Sequence, residues 1–100
     1  MDPAIPDITI SDVVISTAGR DHGEWFYVVN EDPIYLFLAN GKDRTLDKPK
    51  RKKRKHVQKV LRSETRVAVK LLSGDKVLNS ELRKELAFLS RDMQSNNLGG

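Results

Sequence analysis

"DVVISTAGRDHGEWFYVV", residues 12–29, decides how this chain is read. Two runs rich in β-branched and aromatic residues, 12–17 and 24–30, flank a break that carries Gly19 and Gly23. Such side chains favour extended backbone because they pack well on a pleated surface. The two glycines supply what a tight reversal needs, a positive φ or a close approach of backbone. The expectation is strand, turn, strand.

The pattern continues downstream. "NEDP", 30–33, is a turn signal, and "IYLFLA", 34–39, reads as a third strand. "NG", 40–41, is a hairpin-type turn dipeptide. "RTL", 44–46, follows as a short fourth strand, and "HVQKVL", 56–61, as a fifth. Short strands at this spacing suggest a small sandwich or barrel. The second and third strands are apolar on both faces: Phe26 and Val28 against Trp25, Tyr27 and Val29, then Ile34, Leu36 and Leu38 against Tyr35 and Phe37. One face can fill a barrel interior, and the other needs a helical cover.

Two helical patterns supply that cover. "SETRVAVKLLSG", 63–74, has a Ser cap and a Gly stop, although Thr65, Val67, Val69 and Leu71 also fit a strand period. "NSELRKELAFL", 79–89, is capped by Asn79, and it places Leu82, Leu86 and Leu89 on one face. Residues 1–11, with Pro3 and Pro6, read as an N-terminal arm in which Ile8 and Ile10 alternate like a brief strand. Residues 90–100 lack a pattern and read as a flexible tail after a single domain of 12–89.

The charge is concentrated in one place. "KPKRKKRKH", 48–56, holds seven of the eighteen Lys and Arg residues. Without those seven, eleven basic residues face fourteen acidic ones, so a body of net −3 carries a strip of +7. A polyanion is drawn to such a strip. Three readings of it compete: a solvated flexible loop, a nuclear localisation signal, and a phosphate-tracking strip. Its setting within a folded β region favours the third. Pro49 makes the run begin extended, which alternates Lys50, Lys52 and Arg54 with Arg51, Lys53 and Lys55. Neither face is apolar, so a core strand is not expected there. Neutralising about four phosphates would give a log–log salt slope near −3.

Other chemistry is excluded or unsupported. With no cysteine there is no disulfide scaffold, thiolate zinc site or Cys nucleophile. His22 and His56 stand in no metal-ligand spacing, and no cofactor is expected. Nothing indicates an activated nucleophile or a paired-carboxylate site, so an enzyme is not expected. The start, "MDPAIPDITI", does not read as a secretory signal, and the longest apolar runs fall far short of the ~20 residues that span a bilayer. The expectation is a soluble cytoplasmic protein. The aromatic residues are read as core, with Tyr35 as the exception able to stack on a base.

The 12–29 stretch resembles the KOW motif of SH3-like barrels in ribosomal proteins and transcription elongation factors. The resemblance is closest to single-barrel archaeal and eukaryotic large-subunit ribosomal proteins and to small bacterial KOW-domain RNA-binding proteins. It rests on "AGRDHG" as a Gly-Arg-x-x-Gly turn, on "ANG", on the basic stretch before "KHVQKV", and on "SELRKEL". It implies an SH3-like β-barrel with C-terminal helices packed outside. It further implies non-catalytic binding of structured RNA, ribosomal RNA above all, in ribosome structure, assembly or translation. Gly19 and Gly23 shape the turn. The RNA-facing candidates are Arg20 and His22 in the turn, Lys42 and Arg44 after "ANG", and Lys48, Lys50, Arg51, Lys52, Lys53, Arg54, Lys55 and His56 along the strip. Asp21 and Glu24 depart from the more basic loops of the family and shift weight onto 48–56. SH3-like barrels also bind polypeptides, so a protein-interaction module, with the 79–89 helix docking a partner, is the alternative.

Overall fold

The computed structural model describes the backbone of residues 7–99 and the side chains of residues 7–92. Pro3 and Pro6 of the expected arm lie outside the described residues. Five strands form one antiparallel sheet: β1 Asp12–Ser16, β2 Trp25–Glu31, β3 Tyr35–Ala39, β4 Lys50–Lys53 and β5 Val57–Arg62. Two helices follow, α1 Arg66–Ser73 and α2 Asn79–Gly99. The strand order is β4-β3-β2-β1-β5, so β4 and β5 are the two outermost strands.

Those two outer strands are joined by only three residues, a 3-10 turn at Arg54–His56. At ~2 Å rise per residue such a turn covers about 8 Å. A flat five-stranded sheet would set its outer strands ~19 Å apart. The sheet is therefore strongly curled. The His56 carbonyl accepts the Thr17 N–H at 2.9 Å, which docks the turn against the end of β1.

The curl divides the apolar residues as the two-faced strands require. Inside it pack Ile8, Val14, Phe26, Val28, Leu36, Leu38 and Val57. On the outer face Val13, Tyr27 and Ala39 meet Val67 of α1 and Leu82 and Leu86 of α2. Burying both faces puts most of the apolar side chains of β2 and β3 out of water, each worth about 1.5–3 kcal/mol. The Tyr27 hydroxyl, at the centre of the helix-covered face, is satisfied by Ser63 Oγ at 2.9 Å.

The structure departs from the expected elements in several places. "RTL" is not a strand. Asn40 Oδ1 accepts the N–H groups of Lys42 and Arg44 at 2.9 and 3.0 Å, which closes a tight loop instead. That loop abuts the start of α2: Gly41 has φ +76°, and a Cβ there would lie 2.1 Å from the Asn79 carbonyl oxygen. The fourth strand is formed by the basic run itself. Ser63 is spent on Tyr27, and Thr65 stands at the N-cap of α1; Gly74 ends that helix with φ +77° as expected. Asn79 Oδ1 accepts the Leu46 N–H at 2.8 Å, and α2 runs on to Gly99, beyond the 89 at which the apolar pattern stops. Residues 7–11 are packed rather than projecting, with Ile8 and Ser11 buried.

Candidate nucleic-acid interface

The register of β4 sorts the basic run by parity. Lys50 lies opposite Leu38 and Lys52 opposite Leu36, so both belong to the face that lines the curl. Arg51 lies opposite Phe37 and Lys53 opposite Tyr35, on the other face. Successive side chains of a regular strand point to opposite faces, so a run of like charges on one sends half of them inward.

The inward half is neutralised by the Gly19–Gly23 turn. Lys52 is only 8% exposed, and its ammonium donates to Asp21 Oδ1 at 2.5 Å, Ser16 Oγ at 2.8 Å and the Ala18 carbonyl at 2.6 Å. Three donors meet three acceptors, as a buried ammonium requires. Lys50 Nζ is 2.6 Å from Asp21 Oδ2. Burial alone would raise the Asp21 pKa, but hydrogen bonds from Lys50, Lys52 and Ser16 outweigh it and hold the carboxyl well below its ordinary range. The turn sets Asp21 in place through backbone bonds from Gly23 N–H to the Ser16 carbonyl and from Glu24 N–H to the Asp21 carbonyl. Gly19 and Gly23 take φ of +87° and +92°, which is why glycine stands at both. Asp21, read from sequence as a weakening of the turn, is the counter-ion of the strip.

Arg54 is likewise committed inward. Its guanidinium donates to the Asp32 carbonyl at 3.0 Å, the Ile8 carbonyl at 2.7 Å and Glu31 Oε1 at 3.0 Å. Glu31 also accepts the Thr9 hydroxyl and the Ile10 N–H. The Thr9 hydroxyl is the leading cause that keeps its carboxyl ionised below the ordinary value, ahead of the opposing effect of burial and the help of Ile10 and Arg54. Arg54 thereby straps residues 8–10 to the end of β2.

The outward half is free. Lys48, Arg51, Lys53 and Lys55 are exposed and have no ion-pair partner among the described residues. The Arg51 guanidinium stands 4.5 Å from the centroid of the Tyr35 ring, a cation–π stack. Tyr35 and Phe37, both half-buried, share this face with Arg51 and Lys53. An aromatic and cationic surface thus runs along the β3–β4 end of the sheet.

The turn and loop candidates lie elsewhere. Arg20 and Arg44 line a shallow cleft with Lys50, floored in part by Phe26, but Asp21, Glu24 and Asp43 line it too. Its mixed charge gives polyanions little pull. Lys42 and His22 are exposed, and His56 is half-buried with its carbonyl bonded to Thr17. Sequence reasoning missed Asp21 and Glu31 as partners of the strip. The one signal available was that a body of net −3 must hold counter-charges somewhere.

Among the described residues no three or more His, Asp or Glu side chains are grouped to hold a metal ion. No helix among them is long and apolar enough to cross a membrane. No protein-family model matches this chain, and no curated protein is similar enough to it to count as a relative.

Proposed function

We propose that this chain is a non-catalytic RNA-binding domain of the SH3-like, KOW kind, acting on structured RNA of the ribosome in its structure, assembly or translation. The carrying observation is the outward face of β4. Arg51 and Lys53 stand there beside Tyr35 and Phe37, while Asp21 and Glu31 neutralise the inward cations. The five-strand order with a 3-10 turn between the last two strands supports the SH3-like reading. Binding comes from phosphate neutralisation by Lys48, Arg51, Lys53 and Lys55. Four such contacts give a log–log salt slope of about −3 on the single-strand coefficient. The rigid strand positions the backbone, and the surface carries few fixed groups for reading base edges.

Crosslinking and sequencing of RNA bound in native extract tests this, with R51E/K53E/K55E as the control. Enriched structured RNA that is lost in the control is the expected result. No enriched RNA, or equal recovery with the control, overturns the reading.

A second reading has its own observation. Val69 and Leu72 of α1 and Phe88 of α2 are exposed, Phe88 at 62%. These suit a protein partner. Loss of a co-purifying protein in F88S/L72S, with RNA binding unchanged, would support a domain that bridges the two.

A further inference from the structure

The β2–β3 hairpin ends in an unusual tip. Asp32 N–H donates to the Tyr35 carbonyl at 2.9 Å, and Asp32 Oδ1 accepts the Ile34 and Tyr35 N–H groups at 2.9 and 2.7 Å. Asp and Pro are normal at the start of such a turn, and polar residues or glycine normally complete it. Here the completing residue is Ile34, 60% exposed. Its side chain takes no part in holding the turn, which is tied by Asp32 and by the Arg54 N–H and guanidinium on the Ile34 and Asp32 carbonyls.

Ile34 instead walls a groove. Pro33, Ile34, Lys53, Arg54 and Lys55 line an open, mostly apolar trough of about 300 Å³. That is the lower end of the size of small-ligand sites, ~300–1,000 Å³, and suits one small planar group rather than a helix or strand. Its chemistry is two-part. Pro33 and Ile34 offer an apolar surface, and Lys53 and Lys55 put two unpaired cations at its edge. Arg54 presents no free fork, because its Nε, Nη1 and Nη2 are spent on Asp32, Ile8 and Glu31. Of the acids beside Arg54, Glu31 is paired with it, and Asp32 Oδ1 accepts two N–H groups of its own turn.

We infer that this groove receives a single unstacked nucleobase, laid on Pro33 and Ile34, while its flanking phosphates meet Lys53 and Lys55. Charge complementarity selects the occupant: an apolar planar group joined to anions on both sides is an unpaired nucleotide within a strand. The inference rests on the proposed RNA-binding role and narrows it to RNA with a bulged or looped nucleotide. The groove's lining offers an apolar surface and cations rather than side chains of the Asn or Gln kind that read base edges, so it takes any base that can leave the stack. In a fully paired helix no base is available to enter it.

The probes are two RNA hairpins closed by the same non-nucleotide linker, so that neither has loop bases, one fully paired and one with a single-nucleotide bulge. Titration of the wild type is expected to favour the bulged hairpin by ~tenfold, the effect of burying one mid-sized apolar side chain. I34S should erase that preference and leave the paired hairpin bound as before. Its truncation touches no backbone bond of the turn, and an unchanged melting temperature checks the fold. By NMR the Ile34 methyl resonances should move upfield with the bulged hairpin alone, as a base ring stacked on them demands. Equal affinity of the wild type for both hairpins overturns the groove inference and leaves RNA binding standing. Binding of neither overturns both. Ile34 shifts that grow with protein concentration without RNA assign the groove to a second copy of the chain. Shifts with an acidic, leucine-bearing peptide but with neither RNA assign it to a polypeptide.

Discussion

The two faces of β4 hold chemically similar residues in opposite physical situations. Inside, Lys52 is desolvated, gripped by three acceptors and indispensable to its neighbours. Outside, Arg51 and Lys53 are exposed, and they form no ion pair with a carboxylate among the described residues. What separates them is one step along the strand. The basic run is thus a mixture of inward, paired cations and outward, unpaired ones, and register assigns each to its class. Charge-reversing the whole run would confuse unfolding with loss of binding.

Removing the inner counter-ion should have the largest effect. Asp21→Ala strands Lys52 and releases Lys50, and breaking a buried pair costs about 3–5 kcal/mol. The low end is expected, because Lys50 is partly solvated. Urea denaturation reads this directly, and a loss below ~1 kcal/mol would mean that Lys52 swings out to water and the two faces are equivalent.

Acid should expose the same asymmetry. The folded Asp21 carboxyl is held below its ordinary value of 3.8. A group with a depressed folded pKa adds stability that is present above the unfolded value and lost as pH falls through the folded one. Glu31 behaves in the same way. Melting temperature should therefore hold above about pH 4.5 and fall below pH 4, with a shallower fall in Asp21→Asn. Equal slopes in the two proteins would remove Asp21 from its role.

The smallest stability effect belongs outside. Arg51→Ala and Lys53→Ala should each change unfolding free energy by less than ~0.5 kcal/mol. Each should make the RNA salt slope less steep by about 0.7. A large stability loss in either would place that cation in the inner class.

The legible parts of this fold were those with local signals. β1, β2, β3 and β5 announce themselves by branched and aromatic side chains, and Gly74 and the Leu82–Leu86 spacing announce the helices. The two-faced apolar pattern of 25–29 and 34–38 correctly called for a helical cover. β4 was not legible as a strand, because seven cations alternate with nothing to show which side is in. Its inward face is made acceptable by Asp21, 31 residues away from Lys52, and no local pattern carries a pairing at that separation. Ile8 was lost to an expected arm for the same reason: its place is set by Arg54, 46 residues on. In the interface, the sequence separates Lys50, Lys52 and Arg54 from Arg51, Lys53 and Lys55 without saying which set faces in, and it reads Ile34 as a strand residue where the structure has a hairpin tip.

β4 is also an edge strand, paired only with β3. An unpaired edge invites a second chain to extend the sheet, and cationic side chains are a common deterrent. Arg51 and Lys53 stand on that edge, and two copies meeting edge to edge would bring like charges together. A variant made neutral there to abolish binding gains a bare edge able to zip onto itself, and a bound polyanion would need to shield that edge as it cancels its charge.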